Sequence, residues 1–78
     1  MKNDIYTDSK KLAVILDKKG LHFYYENIID AIEYSSTATE TLMKLRFILK
    51  EIDIDNSNLN KSDKGLIEEI LNKINDSL

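Results

Sequence analysis

Not one of the 78 residues is proline. No segment therefore carries a ring that removes an amide hydrogen or clashes with the preceding turn, and every segment is free to continue a helix. Apolar residues recur at the three- and four-residue spacing of a helix face. The interruptions are few: Gly20, Gly65 and the stretch DNSNLNKSDKG, residues 55–65, whose short polar side chains compete for backbone hydrogen bonds. The pattern predicts an all-α fold, a small compact bundle of four short helices in one domain over 1–78. It also predicts a frayed N-terminus over 1–6 and a polar loop over 53–61.

In the segment DSKKLAVILDKKG, Leu12, Ile15 and Leu16 fall on one helix face. Gly20 suits the left-handed C′ position, and Leu21 then packs back on the last turn. The same residues admit a β-hairpin, LAVIL–DKKG–LHFYY, because Asp-x-x-Gly suits a type I turn with a glycine bulge. The alternative fold is an N-terminal β-hairpin plus three helices. The apolar run does not alternate, and NIIDAIEY continues the segment in helical period, which favours the helix.

The second helix, about 21–34, gathers Leu21, Tyr25, Ile28, Ile29 and Ile32 on one face, flanked by Tyr24 and Ala31. Its opposite face carries Phe23, Glu26, Asn27, Asp30 and Tyr34. The third opens on TATE, a capping box in which Thr37 accepts from the Glu40 amide and Glu40 reaches back to the Thr37 amide. Its main stripe is Ala38, Leu42, Leu45, Ile48, Leu49 and Ile52, and it has a second stripe, Met43 and Phe47, with Ile54 in line. The fourth, about 62–77, has one stripe of Leu66, Ile67, Ile70, Leu71 and Ile74, with Ser62 or Asp63 as its N-cap.

A chain this short buries only about 60–65% of its unfolded surface, so its core is thin. There is no cysteine, hence no disulfide and no thiolate metal site. The lone His22 needs carboxylate help to hold a metal, and no metal or cofactor is expected. Net charge is −3, from 14 acidic and 11 basic residues. The bases are scattered among the acids, which argues against nucleic acid as the main partner. No apolar run approaches the ~20 residues of a membrane span, and LAVIL is too short for a signal-peptide core. The expected location is the cytoplasm.

Three motifs fail on chemistry. A calcium loop starting at Asp53 puts Asn58 where the sharp turn needs glycine and Lys64 where the bidentate glutamate belongs. KKLAVILDKKGLHFYYENIIDAI has helix–turn–helix spacing, but its second helix offers phosphates Glu26, Asp30 and Glu33. Catalysis finds one histidine, no thiol and no paired carboxylates in a pocket, so no enzyme activity is expected.

Two surfaces remain. Phe23, Glu26, Asn27, Asp30 and Tyr34 form either a solvated face or an acidic, aromatic docking surface, in which aromatics anchor and acids steer a basic partner. Met43 and Phe47 are either buried by the fourth helix, an oligomer interface, or a groove for another protein. The expected role is a small cytosolic, non-catalytic protein-binding protein. Its most concrete form is an immunity or inhibitor protein that neutralises a basic protein partner such as a toxin nuclease. The alternatives are a homo-oligomeric structural or adaptor protein and a phage or plasmid DNA-binding regulator.

Overall fold

A computed structural model describes residues 4–55 and 59–78, the side chains of 53–55 excepted. It contains four helices: α1 (Ile5–Lys18), α2 (His22–Tyr34), α3 (Ala38–Asp55) and α4 (Lys61–Ser77). No strand occurs among the described residues.

The hairpin alternative is overturned at Gly20. This residue has φ +82°, and its amide donates to the Asp17 carbonyl at 3.1 Å while the Leu21 amide donates to the Leu16 carbonyl at 2.8 Å. That pair of bonds is a Schellman closure, which satisfies the last carbonyls of α1 and turns the chain directly into α2. Leu21 then packs against the core. The positive φ that would have served a bulge serves a helix stop.

The N-terminal boundary also differs from expectation. Asp4 caps α1 by accepting the Thr7 amide at 2.6 Å, so Ile5 and Tyr6 belong to the helix rather than to a frayed end. That bond holds the Asp4 carboxyl below its ordinary 3.8. The polar loop is likewise shorter than 53–61, because α3 continues to Asp55 and α4 begins at Lys61. Residues 56–58 and the side chain of Ile54 lie outside the described residues. The N-cap of α4 is Asn60, not Ser62 or Asp63: the Asp63 amide donates to Asn60 Oδ1 at 2.8 Å and the Asn60 amide to Asp63 Oδ2 at 3.3 Å. At α3, Thr37 accepts from the Glu40 amide at 3.1 Å as expected. Glu40 reaches one residue further back, to the Ser36 amide at 2.8 Å.

Each helix packs on its sequence neighbours, and α4 closes back on α1. The diagonal pairs α1/α3 and α2/α4 make no close backbone contact and share only the core. The direction of α4 follows from two ion pairs. Asp8, in the first turn of α1, meets Lys73 near the end of α4 at 2.8 Å. Lys19, at the end of α1, meets Asp63, in the first turn of α4, at 3.0 Å. Start pairs with end at both places, so α1 and α4 are antiparallel. Each acid sits in the first turn of its helix and Lys19 at the C-cap of α1, where the helix dipole favours them. The contact with Asp8 raises the Lys73 ammonium above its ordinary 10.5.

The ring encloses Leu12, Ala13 and Leu16 of α1, Ile28 and Ala31 of α2, Leu45, Leu49 and Ile52 of α3, and Ile67, Ile70 and Ile74 of α4. Leu59, just before α4, joins them. The radius of gyration, 11.5 Å, is that of a fully collapsed chain of this length.

Two substitutions probe this construction. The Ser9 hydroxyl is fully buried without a hydrogen-bond partner among the described residues. Ser9→Ala removes that uncompensated group and is expected to stabilise by about 1 kcal/mol, raising Tm by roughly 4–8 °C in a domain of this size. An unchanged or lowered Tm in a thermal melt would count against this account of Ser9. A Cβ at Gly20 meets no atom within 4 Å, so Gly20→Ala tests backbone conformation alone. Chemical denaturation should show a loss of about 1–2 kcal/mol.

Candidate functional site

The outward sides of α2 and α3 meet in one open groove of about 1010 Å³. Along α2, residues spaced three and four apart share a ridge, and Asn27, Asp30 and Tyr34 of that ridge line the groove. From α3 come Met43, Lys44, Phe47 and Ile48, with Ser36 and Thr37 of the α2–α3 connection at one end. Ala31, buried, and Ile48, half-buried, form the floor.

Burial of Met43 and Phe47 by the fourth helix is overturned. They are 58% and 71% exposed, and Tyr34 is 76% exposed. The reason is the ring. The core stripe of α3 points inward, and Met43 and Phe47 lie on its outward side, which neither α2 nor α4 covers. The two surfaces expected separately, one on each helix, are brought together: Asn27, Asp30 and Tyr34 face Met43 and Phe47 across the groove.

Phe23 and Glu26 do not line it. Phe23 continues the α2 ridge one turn toward the N-terminus, 67% exposed and edge-on to Tyr24 with ring centroids 5.5 Å apart. Glu26 is turned to His22, its Oε1 3.0 Å from Nε2. The charged groups of the groove are therefore Asp30, Glu40 and Lys44. Lys44 reaches Glu40 at 3.8 Å, while Asp30 has no ion-pair partner among the described residues. An apolar floor, two large exposed aromatics, an adaptable methionine and an unneutralised carboxylate suit the burial of apolar side chains that carry a positive charge beside them.

His22 is the contact that the sequence pattern missed. Its Nδ1 lies 2.6 Å from Asp17 Oδ1, its Nε2 faces Glu26, and its ring stacks on Tyr25 with centroids 5.3 Å apart. Glu26 at i+4 is a visible signal. Asp17 is not, because only the Schellman turn carries α2 back alongside the end of α1. With a carboxylate at each nitrogen, only the imidazolium can donate to both. The hydrogen bond to Asp17, reinforced by the charges of Asp17 and Glu26, raises the His22 pKa above its ordinary 6.5, against a smaller opposing effect of desolvation. No group of three or more His, Cys, Asp or Glu among the described residues is arranged to hold a metal ion.

No protein-family model, curated protein or solved structure matches the chain.

The His22 clasp predicts a pH dependence. A raised folded-state pKa means that its stabilisation is complete below about 6.5, the unfolded value, and fades as pH rises through the folded value. The denaturation midpoint should therefore decline on the alkaline side of 6.5, and His22→Gln should flatten that decline. A wild-type midpoint that rises over this range would contradict the clasp.

Proposed function

We infer that the protein is a non-catalytic binding protein whose α2/α3 groove takes a basic, apolar-faced segment of another protein, and that it acts as an immunity or inhibitor protein toward that partner. The observation that carries this reading is the convergence of Tyr34, Met43 and Phe47, all exposed, on one groove beside an unpaired Asp30. Isolated exposed apolar side chains are ordinary on small proteins, whereas a contiguous group is the mark of an interaction surface. The charges of α2 favour a basic partner, since Glu26, Asp30 and Glu33 are acidic and the helix holds no Lys or Arg. Among the described residues no helix is long and apolar enough to cross a membrane, consistent with action in the cytoplasm.

Genes for neutralising proteins sit beside those of the proteins they neutralise, which supplies the experiment. Co-expression with a basic product of the adjacent gene should yield a stoichiometric complex that suppresses that product's activity. Tyr34→Ala and Phe47→Ala should each weaken it by about 2 kcal/mol or more, roughly thirtyfold. Asp30→Lys should slow association and reduce its salt sensitivity. Absence of any such complex sinks the neutralising role, and a complex indifferent to all three substitutions sinks the groove as its docking site.

A further inference from the structure

Resting on the reading of the α2/α3 groove as a docking site, we propose that its occupant is an amphipathic helix of the partner protein. This helix is about three turns long and presents apolar side chains at i, i+3 or i+4, and i+7, with a Lys or Arg beside them. The walls of the groove decide the backbone conformation of what fills it. Both are helix flanks, drawn from residues 27–34 of α2 and 39–48 of α3. A helix bonds its amides and carbonyls along its own axis, so a flank offers side chains and no row of main-chain donors and acceptors. No strand edge exists among the described residues to supply such a row. The α2–α3 connection is engaged as well: the Ser36 amide donates to Glu40 at 2.8 Å, and Thr37 accepts the Glu40 amide at 3.1 Å. An extended segment laid on the floor at Ala31 and Ile48 would lose water from its own amides and carbonyls and find few replacements, at a cost for each unpaired group. A helix brings its main chain already paired and needs only side-chain contact.

The length of the groove sets the number of anchors. From Thr39 to Ile48 its lining covers about 14 Å of helix rise along α3. Positions i and i+7 of a docked helix lie about 10.5 Å apart and fit within it, whereas i+11, at about 16.5 Å, does not. Met43 and Phe47 are themselves four residues apart, so they form a ridge between whose side chains such anchors seat. The base of the occupant is placed by Asp30. Glu40 is already engaged by the Ser36 amide and by Lys44 at 3.8 Å. Asp30 has no ion-pair partner among the described residues, and it lines the same groove. A Lys or Arg beside the apolar stripe of the occupant meets it there.

Synthetic peptides on an alanine framework, blocked at both ends, test the helical occupant. One set carries Leu, Met or Phe at i, i+4 and i+7 with a flanking Lys. A second has the same composition with its apolar residues alternating, and a third is proline-rich with the same Lys. Titrated into isotope-labelled protein, the first set alone should move the amide resonances around Tyr34, Met43 and Phe47. Its circular dichroism should gain helix on binding. Phe47→Glu and Asp30→Lys should each weaken binding by about tenfold or more. Replacing the peptide Lys by Glu should recover binding to the Asp30→Lys protein, a result that a merely misfolded chain cannot produce. Absence of any shift from the first set at millimolar concentration overturns the helical occupant. So does equal binding by the alternating or the proline-rich set. Failure here is distinct from failure of the docking groove. A complex with the adjacent gene product that Phe47→Ala weakens, beside a first set that does not bind, sinks the helix and leaves the groove. Binding of the first set without any such complex sinks the neutralising role and leaves the groove as an acceptor of helices.

Discussion

The antiparallel closure of α4 on α1 is the contact that makes four consecutive helices a ring. Every other helix pair in the fold is adjacent in sequence and joined by a short connection, so it forms through local turns. Only α1 and α4 meet across nearly the whole chain, through Asp8–Lys73 and Lys19–Asp63. Half-buried ion pairs of this kind are weak sources of net stability, because desolvation offsets most of the attraction, but they discriminate between arrangements. Turning α4 end for end would set Asp8 against Asp63 and Lys19 against Lys73. The alternative is thus penalised twice, and the apolar stripe of α4, which alone would tolerate either direction, is held to one.

The energy of the ring comes from its apolar stripes, and its geometry from its ends. Asp63 serves both: it belongs to the capping box that starts α4 and to the pair that docks α4 on α1. Its position couples helix initiation to ring closure. The Schellman turn at Gly20 does the same at the other end of the chain. It stops α1, delivers Leu21 to the core, and brings Asp17 to His22. These junctions let a thin core specify one arrangement, since a short chain has little apolar area with which to select among alternatives.

What the sequence makes legible is what is local. The stripes of α2, α3 and α4 are read directly from spacing, and Ile28, Leu45, Leu49, Ile67, Ile70 and Ile74 are buried where the spacing puts them. Gly20 is legible as a turn but not as one particular turn, since a left-handed glycine ends a helix or bulges a hairpin equally well. Only the periodicity of the flanking residues decides between them. The N-cap of α4 is misplaced because Asn60, Ser62 and Asp63 are all good caps, and the choice rests on where Leu59 must sit to reach the core. The burial of Ser9 follows the same spacing, three and four residues before Leu12 and Ala13, whereas that of Asp8 depends on α4, whose Lys73 meets it. The convergence of the α2 and α3 surfaces is hidden for the same reason. Spacing assigns each residue to a helix face, and only the order of packing says which faces become neighbours.

That order answers what the second apolar stripe of α3 is for. In a four-membered ring a helix has two neighbours and one inward side, and the side opposite the core is covered by neither neighbour. Met43 and Phe47 lie there, so no rearrangement of α4 within the ring can cover them. A helix sandwiched between two layers would be apolar on both sides for reasons internal to the chain, but this fold has no second layer to offer. The stripe therefore contributes little to the folding of a single chain, and its exposure costs solvation free energy that Lys or Glu at the same positions would avoid. Side chains that give little stability to the chain bearing them are accounted for by what they meet outside it. The neighbouring ridge of α2, with Tyr34 and Asp30 at the same groove, sets the chemistry of that meeting: an apolar centre that needs burial beside a carboxylate that needs a counter-charge.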